Sequence, residues 1–333
     1  MKWLTTIIRR TASRRFAFLR WPVDSMRDRV AATRQDFLIN RQAVRTAYPL
    51  RAVRYWWVLC ALQDELRARR KPLTIADVGC SKGNTKLFVG DMPHTKWIGL
   101  DWSANRGLLT RCGYHDVHSC NFDQPLPLAD HSVDVVIFLH VIEHLPRPEV
   151  TMRELSRILR PGGILLAGSP VAPRWAARYR QRHLRRELDE GVRKAGKHIN
   201  SLDPGHWCHL VSQAQLETEV MTGTCLVRWS GFSLENHAWW LRLNQVWGAL
   251  FPSLGNELYV AARKPEHRPM PPCPAVSVTT PAFPRRMPAL ARLTAITGAI
   301  VLALLAGLYH SHHYVRPFLS LLVNHVKRGG SGS

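Results

Sequence analysis

The chain has little acid. Asp and Glu number 24 against 46 Lys and Arg, a formal net charge of +22 over 333 residues, and the first acid is Asp24. So lopsided a balance argues against an enzyme that meets only a free neutral metabolite. It favours a polyanionic partner: nucleic acid, an anionic membrane surface or a phosphorylated substrate. Paired cysteines are also lacking. Seven are scattered at 60, 80, 112, 120, 208, 225 and 273 without a Cys-x-x-Cys, which reads as reduced thiols in a cytosolic domain rather than a disulfide framework. There is no internal repeat. The N-terminal residues lack the long apolar core of a secretory signal. His206 and His209 flank Cys208, but no second pair stands at zinc-site spacing, so no metal is assigned.

What is present is concentrated around residues 75–83, Ile-Ala-Asp77-Val78-Gly79-Cys80-Ser81-Lys82-Gly83. An apolar strand ends in an acid and runs into a small-residue turn. A side chain on either glycine would obstruct a ligand lying against the backbone. The helix that follows, from Asn84, turns free N–H groups toward the same place. The pattern is Asp-x-Gly-x-Ser-x-Gly, not the Gly-x-Gly-x-x-Gly of dinucleotide-binding turns. A second apolar run, Lys96-Trp97-Ile98-Gly99-Leu100-Asp101, ends in a carboxylate placed to accept ribose hydroxyls. Then come Asn121-Phe122-Asp123-Gln124-Pro125-Leu126-Pro127-Leu128 and the apolar run 135–139, which reads as a strand buried on both faces. Leu155-Ser156-Arg157-Ile158-Leu159-Arg160-Pro161-Gly162-Gly163 predicts a helix that Pro-Gly-Gly ends and turns into a strand.

These four ordered motifs resemble class I S-adenosylmethionine-dependent methyltransferases, in the small-molecule branch of that superfamily. The resemblance covers about residues 74–170. Ser81 replaces the middle glycine of the family's motif, and Asn121 stands where an Asp is usual. The resemblance implies an α/β fold: a doubly wound, Rossmann-like seven-stranded sheet with helices on both faces. It also implies S-adenosylmethionine as cofactor, bound by Asp77, Gly79, Cys80, Ser81, Gly83, Asp101, Trp102, Asn121, Phe122 and His140. His140, Glu143 and His144, in Leu139-His140-Val141-Ile142-Glu143-His144, are the candidates for removing the acceptor's proton. They resemble the Glu-x-x-Glu-His segment of ubiquinone-pathway O-methyltransferases, with His140 in place of the first Glu.

Residues 1–22 predict a basic amphipathic segment suited to an anionic membrane, a composition shared with organellar transit peptides. Residues 23–72 read as an N-terminal helical cap broken at Pro49, in which Tyr55, Trp56 and Trp57 fit either the core or the lining of the cleft. The methyltransferase domain is expected over 73–263, with a basic lid insertion at 171–205. A Pro-rich linker is expected at 264–291, a transmembrane helix at 292–315 and an interfacial tail at 316–328, with residues 329–333 reading as an appended linker. Arg285, Arg286 and Arg292 before the span place its N-terminal side, and the catalytic domain, in the cytosol. Ala299, Ala303 and Gly307 give it a small-residue face for a partner helix. The function expected is a membrane-anchored methyltransferase acting on a lipid-linked, anionic or membrane-partitioned acceptor. An RNA methyltransferase and a non-catalytic, cofactor-binding scaffold are the alternatives, although no added RNA-binding module is visible.

Overall fold

In a computed structural model, the structure describes residues 17–33, 37–39, 42–44, 46–190, 197–225 and 231–266. Seven strands form one sheet: β3 (Leu73–Val78), β4 (Thr95–Asp101), β5 (Asp116–Ser119), β6 (Val133–Leu139), β7 (Leu159–Pro170), β8 (Glu217–Thr224) and β9 (Glu257–Arg263). Their spatial order is β5-β4-β3-β6-β7-β9-β8. β3 to β7 pair in parallel, and β9 runs antiparallel between β7 and β8. The chain reverses its direction of winding between β3 and β6, and a crevice at the carboxyl ends of the strands opens there.

Alternation along each strand builds two cores. Ile75, Val135, Ile137, Ile164 and Tyr259 point to one face. There α1 (Val23–Thr33), α2 (Val53–Arg69) and α3 (Asn84–Val89) bury Met26, Trp56, Trp57 and Phe88. Ala76, Val136, Phe138, Leu165 and Val260 point to the other face, against the Met152 and Leu155 of α5 (Pro148–Ile158) and the Trp207 and Leu210 of α7 (Pro204–Gln213). The sheet therefore carries helices on both faces, as the sequence implies. The fourth helix, α4 (Arg106–Arg111), follows β4, and α6 (Arg174–Asp189) follows β7.

Trp56 and Trp57 belong to the core. The Trp56 indole donates to Ser25 Oγ at 3.0 Å, and Trp57 stacks on Tyr259 with ring centroids 5.3 Å apart. The N-terminal region is less helical than expected. A short antiparallel pair, β1 (Phe37–Ile39) with β2 (Gln42–Val44), separates α1 from α2. The Pro-Gly-Gly element also differs. Helix α5 stops at Ile158, because Leu159 already pairs with Val133. The register then jumps to Val135 opposite Ile164, so residues 160–163 bulge from the ladder. Gly162 N–H donates to Lys264 O, and Lys264 N–H donates to Gly163 O, both at 2.8 Å.

Beyond the sheet edge lies α8 (Ala238–Leu250). It touches β8 through two glycines: a Cβ on Gly248 would stand 2.0 Å from Gly223 O and 2.4 Å from Thr224 N. Arg242 of this helix donates to the carbonyls of Phe18 and Trp21, at 3.3 and 2.5 Å, and so pins the 3-10 turn Ala17–Arg20. Among the described residues no helix is long and apolar enough to cross a membrane. The expected span, the Pro-rich linker from residue 267 on, the tail and residues 1–16 lie outside the described residues, as do residues 191–196 of the lid.

Candidate active site

The turn after β3 holds Gly79, Ser81 and Gly83 at φ +82°, +48° and +77°. Gly79 and Cys80 donate their N–H groups to Leu100 O at 2.7 and 3.2 Å, which ties the turn to β4. The reason for glycine at 79 is not the ligand alone. A Cβ there would stand 2.1 Å from Val141 Cγ2, so a side chain from the loop after β6 already fills the space. A Cβ on Gly83 would meet Cys112 and Leu109 at 3.2 Å. The Cys80 side chain is buried in the core. Cys80 is thus left to meet a cofactor through its backbone. Ser81 adopts a left-handed conformation without glycine's freedom, and its side is exposed.

Asp77 lies beneath this turn. Its carboxylate is 2% exposed and accepts from Tyr114 OH at 2.6 Å. Burial pushes its carboxyl up to about 7, the Tyr114 hydrogen bond works against this, and the charge of Asp101 adds to it. Asp77 thus supports the turn from within instead of offering an open carboxylate. A carboxyl with a raised native pKa holds its proton in the folded chain at a pH where the unfolded chain has released it. Stability contributed this way is intact at low pH and is lost as pH rises from about 4 to about 7, by up to ~4 kcal/mol. Asp77→Asn, which keeps an acceptor for Tyr114, is expected to unfold later than wild type at pH 8 and no later at pH 4. Thermal denaturation of both proteins across that range checks the sign.

Asp101 stands at the tip of β4, partly exposed. Its Oδ2 accepts from Ser81 N–H at 2.8 Å and its Oδ1 from Ser103 N–H at 3.2 Å. The two expected anchors of a nucleoside ligand, the turn and the second-strand carboxylate, are thereby joined. Trp102 beside it is 70% exposed. Asn121 Oδ1 accepts from Asp123 N–H at 3.0 Å, so its carboxamide shapes the loop after β5. The Phe122 ring is buried in the second core and its carbonyl accepts from Thr151 Oγ at 2.9 Å. The Phe122 ring is therefore turned into the core.

Across the crevice, His140 follows β6 at φ +56°. Its N–H donates to Gly168 O at 2.8 Å. Its Nδ1 is 3.3 Å from Glu143 Oε1, and its Nε2 is 3.5 Å from Glu257 Oε1. Glu257 is itself paired with Arg54 at 2.6 Å and accepts from Tyr259 OH at 2.7 Å. His140 thus stands between two carboxylates, and its buried Nε2 has no hydrogen-bond partner. Glu143 is buried, and neither of its carboxylate oxygens has a hydrogen-bond partner. Burial pushes its carboxyl up, but His140 and His144 beside it hold it below the ordinary value. His144 packs edge-on against His198, ring centroids 4.8 Å apart. Burial lowers the His198 pKa, opposed by the charge of Glu143.

The segment carrying His198 is stitched to this loop. Ile199 and Asn200 donate N–H groups to Glu143 O at 2.8 and 3.0 Å, and the Asn200 carboxamide donates to Leu145 O at 2.6 Å. From the other side Gln181 of α6 donates to Ile199 O at 3.1 Å and accepts from Ser201 N–H at 2.7 Å. Sequence reasoning names His140, Glu143 and His144 but misses Val141 within the same segment, and His198 and Glu257. The last two arrive from the insertion after α6 and from the start of β9, with no periodicity to announce them.

Residues 76–167 match the family described as methyltransferase domain. A probable S-adenosylmethionine-dependent methyltransferase of Mycolicibacterium smegmatis is 36% identical over 98 residues, 29% of this chain and 37% of that protein. A trans-aconitate 2-methyltransferase of Azoarcus sp. is 33% identical over 98 residues, 29% of this chain and 39% of that protein. A probable S-adenosylmethionine-dependent methyltransferase of Mycobacterium tuberculosis is 28% identical over 143 residues, 42% of this chain and 52% of that protein. The chain thus spans between 37% and 52% of these relatives' lengths. Residues 76–167 carry a class I methyltransferase domain. Its cofactor is S-adenosylmethionine.

The residues of the methyltransferase domain fit that cofactor. Each Asp101 oxygen accepts one backbone N–H and keeps acceptor capacity for the ribose hydroxyls. The backbone of residues 79–83 borders the crevice, and Asn121 with the Phe122 backbone forms the side on which an adenine would rest. The six described cysteines of the chain are free, and those at 60 and 80 are buried.

Proposed function

We propose that the chain is a methyltransferase working at a membrane surface, on a lipid-linked, anionic or membrane-partitioned acceptor. The observation that carries this reading is an apolar face on α8 and the turn after it. Trp239, Leu243 and Leu250 of α8, with Phe251 and Leu254 just after it, are all exposed large hydrophobic residues. Aromatic and leucine side chains presented together on a basic protein suit the headgroup boundary of an anionic bilayer. The chain runs from this face directly into β9, whose first residue, Glu257, stands 3.5 Å from His140. The 3-10 turn Ala17–Arg20, which continues the basic residues 1–16, is pinned to the same helix by Arg242.

In this reading residues 292–315 span the bilayer with the domain on the cytosolic side, and Ala299, Ala303 and Gly307 meet a partner helix. S-adenosylmethionine supplies a methyl group on a sulfonium whose departure leaves a neutral thioether. The chain's own residues orient the acceptor and manage its proton. Glu143 and His144 face that proton, with His140 Nδ1 3.3 Å from the Glu143 carboxylate.

The test is the full chain incubated with membranes and labelled S-adenosylmethionine. Label is expected in the lipid extract. The triple variant Trp239→Ala, Phe251→Ala, Leu254→Ala should lower transfer at least ~10-fold, because three apolar anchors are lost, without changing cofactor affinity. Label in RNA, with an affinity that falls steeply with salt, would replace this reading with an RNA methyltransferase. Cofactor binding without transfer to either would leave a scaffold.

A further inference from the structure

Glu143, His144 and His198 each bring one ligand atom to within 4.8 Å of the others, the one such cluster among the described residues. The sequence assigns no metal here, because His140 stands in place of the first Glu of the segment it resembles. We infer that these three residues form a binding site for a divalent transition-metal ion, with Zn2+ as the favoured occupant, beside the methyl-transfer crevice.

Three independent features converge. The first is an unmet electrostatic need. Glu143 is 2% exposed, both of its carboxylate oxygens lack a hydrogen-bond partner, and so does the buried Nδ1 of His144. A buried carboxylate in that state is costly, and a coordinated cation removes the cost. The second is the donor set. Two imidazoles and one carboxylate are the ligands of open zinc sites, where a fourth position is left for water or substrate, whereas Mg2+ prefers all-oxygen surroundings. With bonds of about 2.0–2.2 Å the ligand atoms would close to about 3.3 Å from one another, a movement that His198, only half-buried, can make by rotating its ring.

The third is the support around the ligands. His140 Nδ1 stands against Glu143 Oε1 at 3.3 Å, and Glu257 backs His140 at 3.5 Å. Asn200 and Ile199 clamp the backbone of the His198 segment onto residues 142–145. Such outer contacts fix ligand orientation and are worth 10- to 100-fold in affinity. His198 comes from the insertion after α6, so the site forms only where that insertion closes on the loop after β6. If the methyltransferase reading holds, the open position faces the acceptor and binds it as its anion. The site itself does not depend on that reading.

The test is titration of the full, chelator-stripped chain with Zn2+ in competition with a chromophoric chelator. One equivalent should bind, and Mg2+ in large excess should not displace it. His198→Ala and Glu143→Gln should each weaken the site at least ~100-fold, more than loss of an outer contact does. His206→Ala with His209→Ala, which removes the only other close histidine pair on α7, should leave it unchanged. Cofactor titration of each variant reports that the fold is intact and tests the methyltransferase reading separately. Zn2+ bound equally by wild type and His198→Ala, or lost only in the His206/His209 variant, would overturn the inference, as would no binding by a wild-type chain that still binds cofactor.

Discussion

Gly248→Ala is expected to lower the unfolding free energy by about 3 kcal/mol or more. Helix propensity alone points the other way, since alanine is better than glycine in a helix interior by about 1 kcal/mol. Contact decides the sign. The added methyl would stand 2.0 Å from Gly223 O, 2.1 Å from Gly223 C and 2.4 Å from Thr224 N. All three are backbone atoms of a strand paired along its length with β9, so no side chain can rotate away. The helix must lift from β8, which opens the packing of Leu241 and Ala249. Gly107, in α4, is the control: the nearest atom to a Cβ there is 3.7 Å away, so Gly107→Ala should follow propensity and stabilise by up to ~1 kcal/mol. Denaturant unfolding of the two variants gives opposite signs if helix and strand meet as described, and Gly248→Ala at wild-type stability would show that they do not.

Asp101→Ala should weaken S-adenosylmethionine binding by at least ~100-fold. The ribose hydroxyls lose charge-assisted hydrogen bonds worth about 1.5–3 kcal/mol each. The turn also loses the carboxylate that receives Ser81 N–H at 2.8 Å, so the backbone facing the cofactor is loosened as well. Asp101→Asn keeps one oxygen for Ser81 and should fall between the two. Calorimetric titration orders the three proteins. The same substitution removes a negative neighbour of Asp77, so the pH dependence of stability should shrink in Asp101→Ala. An unchanged cofactor affinity would exclude Asp101 as the ribose anchor.

Much of the fold was legible because parallel strands buried on both faces leave a coarse trace. The runs ending at Asp77, Asp101 and Leu139 are apolar with small punctuating turns, and each became a neighbouring central strand. Spacing of this sort records where the backbone goes. It does not record which way a side chain at a turn points, and those of Cys80 and Phe122 turn into the cores. The Pro-Gly-Gly signal marked a real irregularity but not its kind, because a bulge and a helix end call for the same residues. The pairing of β1 with β2 escaped notice because three-residue strands carry too little alternation to compete with helical surroundings. His198 was invisible for a different reason: its position depends on Asn200 and Gln181 folding the insertion back, which is a tertiary event.

The contact between Gly79 and Val141 has a mechanical consequence. The turn that meets the cofactor and the loop that carries His140, Glu143 and His144 interlock through one methyl group seated where a Cβ is missing. A displacement of either loop toward the other is resisted by hard-core repulsion, which rises far more steeply with distance than a hydrogen bond weakens. The two sides of the crevice therefore behave as meshed parts. A ligand that shifts the turn also shifts the acidic and histidine side chains opposite, and the register between methyl donor and acceptor is set by packing before either arrives.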